Sequence, residues 1–326
     1  MPRGSSGLTH MFEGRNILVT GGAGFIGSHL VEKLVKLGAS VTSADHQPIS
    51  GLGNLHAVLD RVAMVDVDLA TGDLGPLISN GGFEFVFHLA GSAHVQSSVE
   101  NPLRDFARNA LSTLRLLDAI RIGSPRTALI YTSSAVVYHG GGSELIKEDD
   151  PTHPRSPYGV SKLTSDRYTS VFAHVYGLRT AVARLFTVYG PRLRKQIIWD
   201  IVGRLRKNGE VLPMLGDGAQ MRDFSYVGDV IEALLLIASK APLAGEAYNV
   251  ASGSIVTVDD IARLIARTMQ LSPTLDYSGD GYTGDTTHWF ADTARLRALG
   301  YEPQTPLEQG IEKTVDWILK ETPAFE

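Results

Sequence analysis

The chain has 326 residues, 43% hydrophobic and 20% charged, with a formal net charge of −5 and no cysteine. That length holds one large α/β domain or up to two ordinary ones, and the composition is that of a soluble globular protein. The acidic balance speaks against nucleic acid or an anionic membrane as partner, no apolar run is long enough to span a bilayer, and the lack of cysteine excludes disulfides and thiol chemistry, which suits the cytoplasm.

Residues 1–11 lack the apolar core of a signal peptide and are expected to form a flexible leader. Ile17-Leu18-Val19 reads as a strand. Gly21, Gly24 and Gly27 follow, then a helical pattern with Ile26, Leu30, Leu34 and Leu37 on one face, closed by Gly38. A second strand over Val41–Ala44 ends in Asp45. This is the physics of dinucleotide binding: Gly21 permits a tight turn, Gly24 lets the backbone approach a pyrophosphate, and Gly27 lets the helix pack closely on the strand. The helix N-terminus offers its N–H groups to the phosphates, and Asp45 is spaced to accept from a ribose hydroxyl. An ordinary glycine-rich turn would share the glycines but would not require the strand, the helix and the acid around them. With no Arg or Lys near Asp45, the expected cofactor is NAD rather than NADP.

Further strands are expected over Val62–Val65, Phe83–Leu89, Ala128–Tyr131, Ala181–Arg184 and Ala247–Val250. Helices are expected over 101–122 (Asn109 in its middle), 157–176, 230–239, 258–269, 293–299 and 306–320, with loops over 46–51 and 139–157. Alternation of strand and helix predicts a doubly wound, Rossmann-type parallel sheet, with ligands at the carboxyl ends of its strands, where Asp45, Asp66, Ala90 and Ser134 fall. Beyond Tyr189-Gly190-Pro191 the alternation fades and Gly, Pro and Arg become denser. The expected division is therefore an NAD-binding domain over 12–190, rejoined by 226–252, and a smaller C-terminal α/β substrate-binding region from 191–225 and 253–322.

Tyr158 and Lys162 lie four apart at the start of a helix, on one face. A phenol is too weak a base at neutral pH unless positive charge favours the phenolate; Lys162 and the nicotinamide ring would supply it. A Tyr on a core face with a Lys in water would show the same spacing. Ser134, at a strand end, is what tips the reading, since its hydroxyl can share the substrate's reacting hydroxyl with Tyr158. His88, inside an apolar strand, reads as a core histidine, and the histidines and acids show no metal-binding spacing.

At this point the chain resembles the extended short-chain dehydrogenase/reductases, specifically the NAD-dependent nucleotide-sugar epimerase/dehydratase family. The likeness runs over residues 14–320 and is carried by GGAGFIG at Gly21–Gly27, Asp66-Val67, FHLAGSA from Phe87, SSAVVY from Ser133, YGVSK at Tyr158–Lys162, RLFTVYGPR at Arg184–Arg192, GDGAQMRDFSYVGD at Gly216–Asp229 and YNVASG from Tyr248. The resemblance implies a firmly held NAD, with Asp66 and Val67 at the adenine and Ser134, Tyr158 and Lys162 in the catalytic positions. Phe25, Ile26, Leu89, Ala90, Ser92, Asn109 and Thr132 complete the implied cofactor set. For the substrate it implies Ser133 and Ser134 at the sugar, Arg222 on the diphosphate, and His94 in a loop that flanks the sugar. Helices around 101–121 and 157–176 resemble a pair that forms a homodimer interface in relatives, although their apolar residues could equally serve the monomer core.

Dehydratases and decarboxylases of this family usually carry an acid just after the catalytic Ser or Thr. Here Ala135-Val136 follows Ser134, which suits a 4-epimerase working through a transient 4-keto sugar. Thr187, where many hexose enzymes have Asn, with Arg194 seven residues on, is similar to UDP-glucuronate 4-epimerases, and a guanidinium fork suits a carboxylate. Thr187 as a packing residue and Arg194 in solvent or on a phosphate are the plain alternatives. Thr286-Thr287-His288 after Gly284-Asp285, and Arg192-Leu193-Arg194-Lys195 in place of the usual Pro-Asp continuation, depart from the family pattern. A neutral UDP-hexose 4-epimerase, a UDP-glucuronate decarboxylase and a non-catalytic NAD-binding protein stand as rivals.

Overall fold

The structure is a computed structural model and describes residues 10–46, 49–138, 144–279 and 288–321. Most of the expected leader, the first part of the 139–157 loop, and Gly284 to Thr287 lie outside the described residues. His10–Phe12, at the leader's end, form a helical turn, and Phe12 is fully buried in the core.

Seven parallel strands make the central sheet: β1 (Asn16–Thr20), β2 (Ser40–Asp45), β3 (Val62–Asp66), β4 (Phe85–His88), β5 (Ala128–Ser134), β6 (Arg179–Leu185) and, after three short strands elsewhere, β10 (Ala244–Val250). Their spatial order is β10-β6-β5-β4-β1-β2-β3, the doubly wound arrangement, so the chain is of the α/β Rossmann type. Period-two side-chain alternation explains why both faces are covered. Ile17 and Val19 of β1 pack into one core, with Leu30, Leu34 and Val230, while Leu18 packs into the other, with Ile78, Leu116 and Phe172. Ile130 and Tyr131 of β5 divide between the same two cores.

The helices over those faces include α1 (Phe25–Lys36), α2 (Gly75–Gly81), α3 (Val95–Glu100), α4 (Pro102–Phe106), α5 (Ser112–Gly123) and α6 (Pro157–Tyr176). The helix expected over 101–122 is broken: Asn101 caps α4 through its side chain, and a π-helical turn over Ala107–Leu111 separates α4 from α5. Such a turn inserts a residue into the ladder and re-aims the side chains it carries, here Asn109. In α6, Ser156 accepts from the Gly159 N–H (3.1 Å), Pro157 opens the helix, and Gly177 closes it in the left-handed region (φ 69°).

The remaining chain builds a third core. It holds α7 (Gln196–Lys207), α8 (Val227–Lys240), α9 (Val258–Thr268), α10 (Ala294–Ala298) and α11 (Leu307–Glu321). Of these, α8 and α10 pack into the core of the central sheet instead, through residues such as Val230 and Leu296. β7 (Thr187–Tyr189), β9 (Met221–Tyr226), β11 (Ile255–Thr257) and β13 (His288–Trp289) form a four-stranded sheet, and β8 (Val211–Met214) pairs with β12 (Thr274–Tyr277). Among the described residues no helix is long and apolar enough to cross a membrane.

Candidate functional site

The carboxyl ends of β1, β4, β5 and β6 open onto a cavity of about 1070 Å³. Its floor on the β1 side is a glycine cradle. Gly21 is left-handed (φ 72°), and a Cβ there would come within 2.7 Å of the Ala90 nitrogen. A Cβ on Gly27 would sit 2.0 Å from the Gly21 carbonyl oxygen, so close helix–strand packing excludes any side chain. Gly24 differs: its Cβ would meet only the Gly21 carbonyl, at 3.1 Å, and it caps α1 with no side chain competing for the N-terminal N–H groups. Backbone donors and helix dipole thus face the cavity at a place without a side chain, which fits a pyrophosphate. Phe25, Ile26, Leu89, Ser92 and Thr132 also line the cavity.

The opposite wall, where the expected catalytic residues lie, is built by β5 and α6. Ser134 leaves the sheet at the end of β5 and its hydroxyl accepts from the Val136 N–H (3.4 Å), which turns the chain and keeps the hydroxyl at the cavity wall. Tyr158, one residue into α6, is buried and lines the cavity with Ser134, whose hydroxyl is near enough to act on the phenol. Lys162, one turn on, donates to the Thr132 carbonyl (2.9 Å) and lies 5.0 Å from the centre of the Tyr131 ring. Ser133 lines the same wall, its hydroxyl buried without a hydrogen-bond partner. The three side chains that the spacing singled out therefore meet.

Their electrostatics depart from the expectation drawn from sequence. Burial pushes the Tyr158 phenol up to about 12, outweighing the Ser134 hydrogen bond, with the carboxylate of Asp105 acting in the same direction as burial. Burial brings Lys162 down to about 8, opposed by Asp105. The chain alone thus holds a phenol, and the ammonium beside it does not make it a phenolate.

Several expected residues stand behind the wall. Asn109 is buried; it accepts from the Ser92 N–H (3.1 Å) and donates to Asp105 (2.9 Å), so it fixes the loop after β4. Asp45 accepts from the Ala23 N–H (2.7 Å) and from the Ser43 hydroxyl (3.3 Å), which pins the glycine turn to β2. Ala90 packs beneath Gly21. Asp66 is exposed beside His46 (3.7 Å), and the Val67 N–H donates to the Asp45 carbonyl (2.9 Å). None of Asn109, Asp45, Ala90, Asp66 and Val67 lines the cavity.

On the substrate side Thr187 and Arg222 line the cavity. Two candidates do not. His94 is exposed at the start of α3, its ring turned to the Ser97 hydroxyl (3.2 Å), and it does not line the cavity. Arg194 points away: its guanidinium stacks over Trp317 (4.9 Å), donates to Asn54 (3.1 Å) and lies 3.5 Å from Glu321. The cation that lines the cavity from this segment is Lys195, which the sequence reading passed over. His88 is buried between Thr20 (2.6 Å) and Thr113 (3.0 Å), and burial holds it neutral, at about 3. Among the described residues no three or more His, Cys, Asp or Glu side chains gather as a metal ion would need.

A buried polar network braces this wall. Arg184 on β6 binds Asp166 of α6 with two donors (2.8 and 3.1 Å) and donates to the Tyr138 hydroxyl (2.6 Å), which in turn donates to Asn249 (2.8 Å). It ties α6 to the turn that follows Ser134, and sequence offered no sign of it because its members are 18 to 111 residues apart.

Residues 17–251 match the family model described as NAD dependent epimerase/dehydratase family. A putative UDP-glucose 4-epimerase of Methanocaldococcus jannaschii is 31% identical over 306 residues, covering 93% of this chain and 98% of the relative. The structure is similar to a UDP-N-acetylglucosamine 4-epimerase from Methanobrevibacter ruminantium in complex with UDP-N-acetylmuramic acid (TM-score 0.86, 30% identity, 95% of this chain and 100% of the other). It is equally similar to a variant of the UDP-glucuronic acid 4-epimerase from Bacillus cereus, in complex with UDP-4-deoxy-4-fluoro-glucuronic acid and NAD (TM-score 0.86, 29% identity, 94% and 99%).

Proposed function

The chain belongs to the NAD-dependent epimerase/dehydratase family, and from that premise we propose that it is a UDP-sugar 4-epimerase. The observation that carries this reading is the meeting of Ser134, Tyr158 and Lys162 at one end of a cavity whose other end is a glycine cradle. NAD held in this cavity would supply reversible hydride acceptance for carbon 4. The glycine turn and the N-terminus of α1 would hold the pyrophosphate, with Asp45 pinning that turn through one carboxylate oxygen and its other oxygen left for a ribose hydroxyl. Ser134 orients the sugar hydroxyl, and Tyr158 takes its proton as the carbon is oxidised and returns it as the carbon is reduced. Lys162 and the positive nicotinamide ring would together supply the charge that the phenol needs, since the buried chain alone keeps Tyr158 protonated. Ala135 and Val136 border the reacting end, and Glu100 is the one carboxylate on the cavity wall among the described residues. That wall supports inversion over elimination or decarboxylation, each of which calls for another acid.

For the sugar we adopt UDP-glucuronate. Arg155, Lys162, Lys195 and Arg222 line the cavity against the single Glu100, a balance that suits a diphosphate with a further carboxylate. The neutral UDP-hexose reading is supported by Arg194 lying outside the cavity and by the relative named as a UDP-glucose enzyme. Incubating the protein with each nucleotide sugar and following carbon 4 by NMR separates the two. We further propose a homodimer through α4–α6, where Leu103, Phe106, Val160, Val171 and Val175 are exposed apolar side chains.

A further inference from the structure

We propose that Lys195, and not Arg194, is the residue that selects an acidic sugar. The inference rests on the UDP-glucuronate reading and names the side chain that would carry it out. Within the segment after β7, Leu193 and Lys195 face the cavity and Arg194, between them, faces out. Two non-glycine residues in the left-handed region bracket these three: Arg192 (φ 75°) and Gln196 (φ 69°). Strain of that kind persists only where the surroundings enforce it. Here they do: Arg192 binds Glu32 and donates to Ser28 (3.1 Å) on α1, and His29 of the same helix bonds the Pro191 carbonyl oxygen (3.0 Å). The segment is thereby fastened to the cofactor-side helix in the register that turns Lys195 inward.

Among the described residues no carboxylate pairs with Lys195. Its ammonium reaches one protein oxygen, the Ala93 carbonyl at 3.2 Å, in the loop between β4 and α3. Burial alone acts on it, holding its pKa below the ordinary lysine value. Arg194 by contrast already has a carboxylate, an amide and an indole ring as partners. A half-buried cation in a concave wall, with one acceptor and no counter-charge, is suited to an anion that arrives with the ligand. With Arg222, on β9, the candidate for the diphosphate, Lys195 is assigned to the carboxylate at carbon 5.

The test compares wild type, Lys195→Met, Lys195→Arg and Arg194→Ala in kcat and KM for UDP-glucuronate and UDP-glucose, with calorimetric binding of UDP. Lys195→Met is expected to raise KM for the uronate by about 10- to 100-fold, the loss typical of one charged hydrogen bond. UDP-glucose kinetics and UDP binding stay unchanged, and Lys195→Arg recovers most of the uronate affinity. Equal losses for uronate, hexose and UDP would place Lys195 on the diphosphate and overturn the proposal. Selective loss in Arg194→Ala with none in Lys195→Met would overturn it in favour of the neighbour. A wild-type enzyme that turns over the hexose and ignores the uronate defeats the sugar reading itself, before any variant is compared.

Discussion

Tyr158 sits where burial opposes the ionisation its proposed role needs. Tyr158→Phe removes the base while keeping the ring, and kcat is expected to fall by about 10²- to 10⁴-fold with the thermal midpoint little changed. In protein stripped of nucleotide, Tyr158 contributes no tyrosinate absorbance at about pH 10, where an exposed tyrosine is half ionised; a wild-type minus Tyr158→Phe difference spectrum reads this directly. Lys162 carries the opposite burden. The folded chain gives up this proton at about 8, the free side chain at 10.5. Keeping Lys162 charged therefore costs the fold roughly 3 kcal/mol below about pH 8, a cost that fades as pH rises toward 10.5. Lys162→Met is expected to be inactive yet more stable at neutral pH, by roughly 1–2 kcal/mol once the lost hydrogen bond to Thr132 is subtracted. Urea melts at pH 7 and near pH 10 should show that advantage shrinking. The spacing of Ser134, Tyr158 and Lys162 was readable because two of them share one helical turn and the third ends a strand. The orientation of Arg194 and Lys195 was not, because it depends on left-handed backbone at Arg192 and Gln196, neither of them glycine.

At the scale of elements, the glycine cradle separates cofactor affinity from folding. Gly27→Ala drives a methyl into the Gly21 carbonyl and should leave no soluble folded protein, whereas Gly24→Ala should fold and bind NAD more weakly. Circular dichroism followed by NAD titration distinguishes the two. The Arg184–Asp166 pair is almost fully buried. Removing one partner, as in Arg184→Met, should cost about 3–5 kcal/mol in unfolding free energy, and removing both should cost less, because no lone charge remains. The central strands and α1, α6 and α8 were legible from apolar periodicity and glycine placement. The π-helical turn was not, since apolar residues continue through 107–111 and only tertiary fit of Asn109 against Ser92 marks the break. Nor was α7: its core residues Ile198, Ile201, Val202 and Leu205 keep helical spacing, but lie in a stretch dense in Gly, Pro and Arg that read as irregular. Of the strands in the smaller sheets, β7, β11 and β13 run only two or three residues, too short for periodicity to register.

For the whole molecule, the parallel sheet and its doubly wound order follow from alternating elements, and the cavity follows from that order, since ligands bind where strand ends face a reversal in connection. The exposed apolar side chains on α4–α6 should make the protein a dimer at micromolar concentration. Leu103→Glu with Val171→Glu should shift it to monomer in sedimentation, and a sedimentation coefficient untouched by both changes would reject that interface. The most direct test of the central claim is proton NMR of the purified protein with UDP-glucuronate, and separately UDP-glucose, with no NAD added. Inversion at carbon 4 alone is expected, seen as a new sugar spectrum with carbon 6 intact and no net oxidation. Unchanged starting material in both tubes, or a pentose with carbon dioxide, or a 6-deoxy-4-keto product, would contradict it.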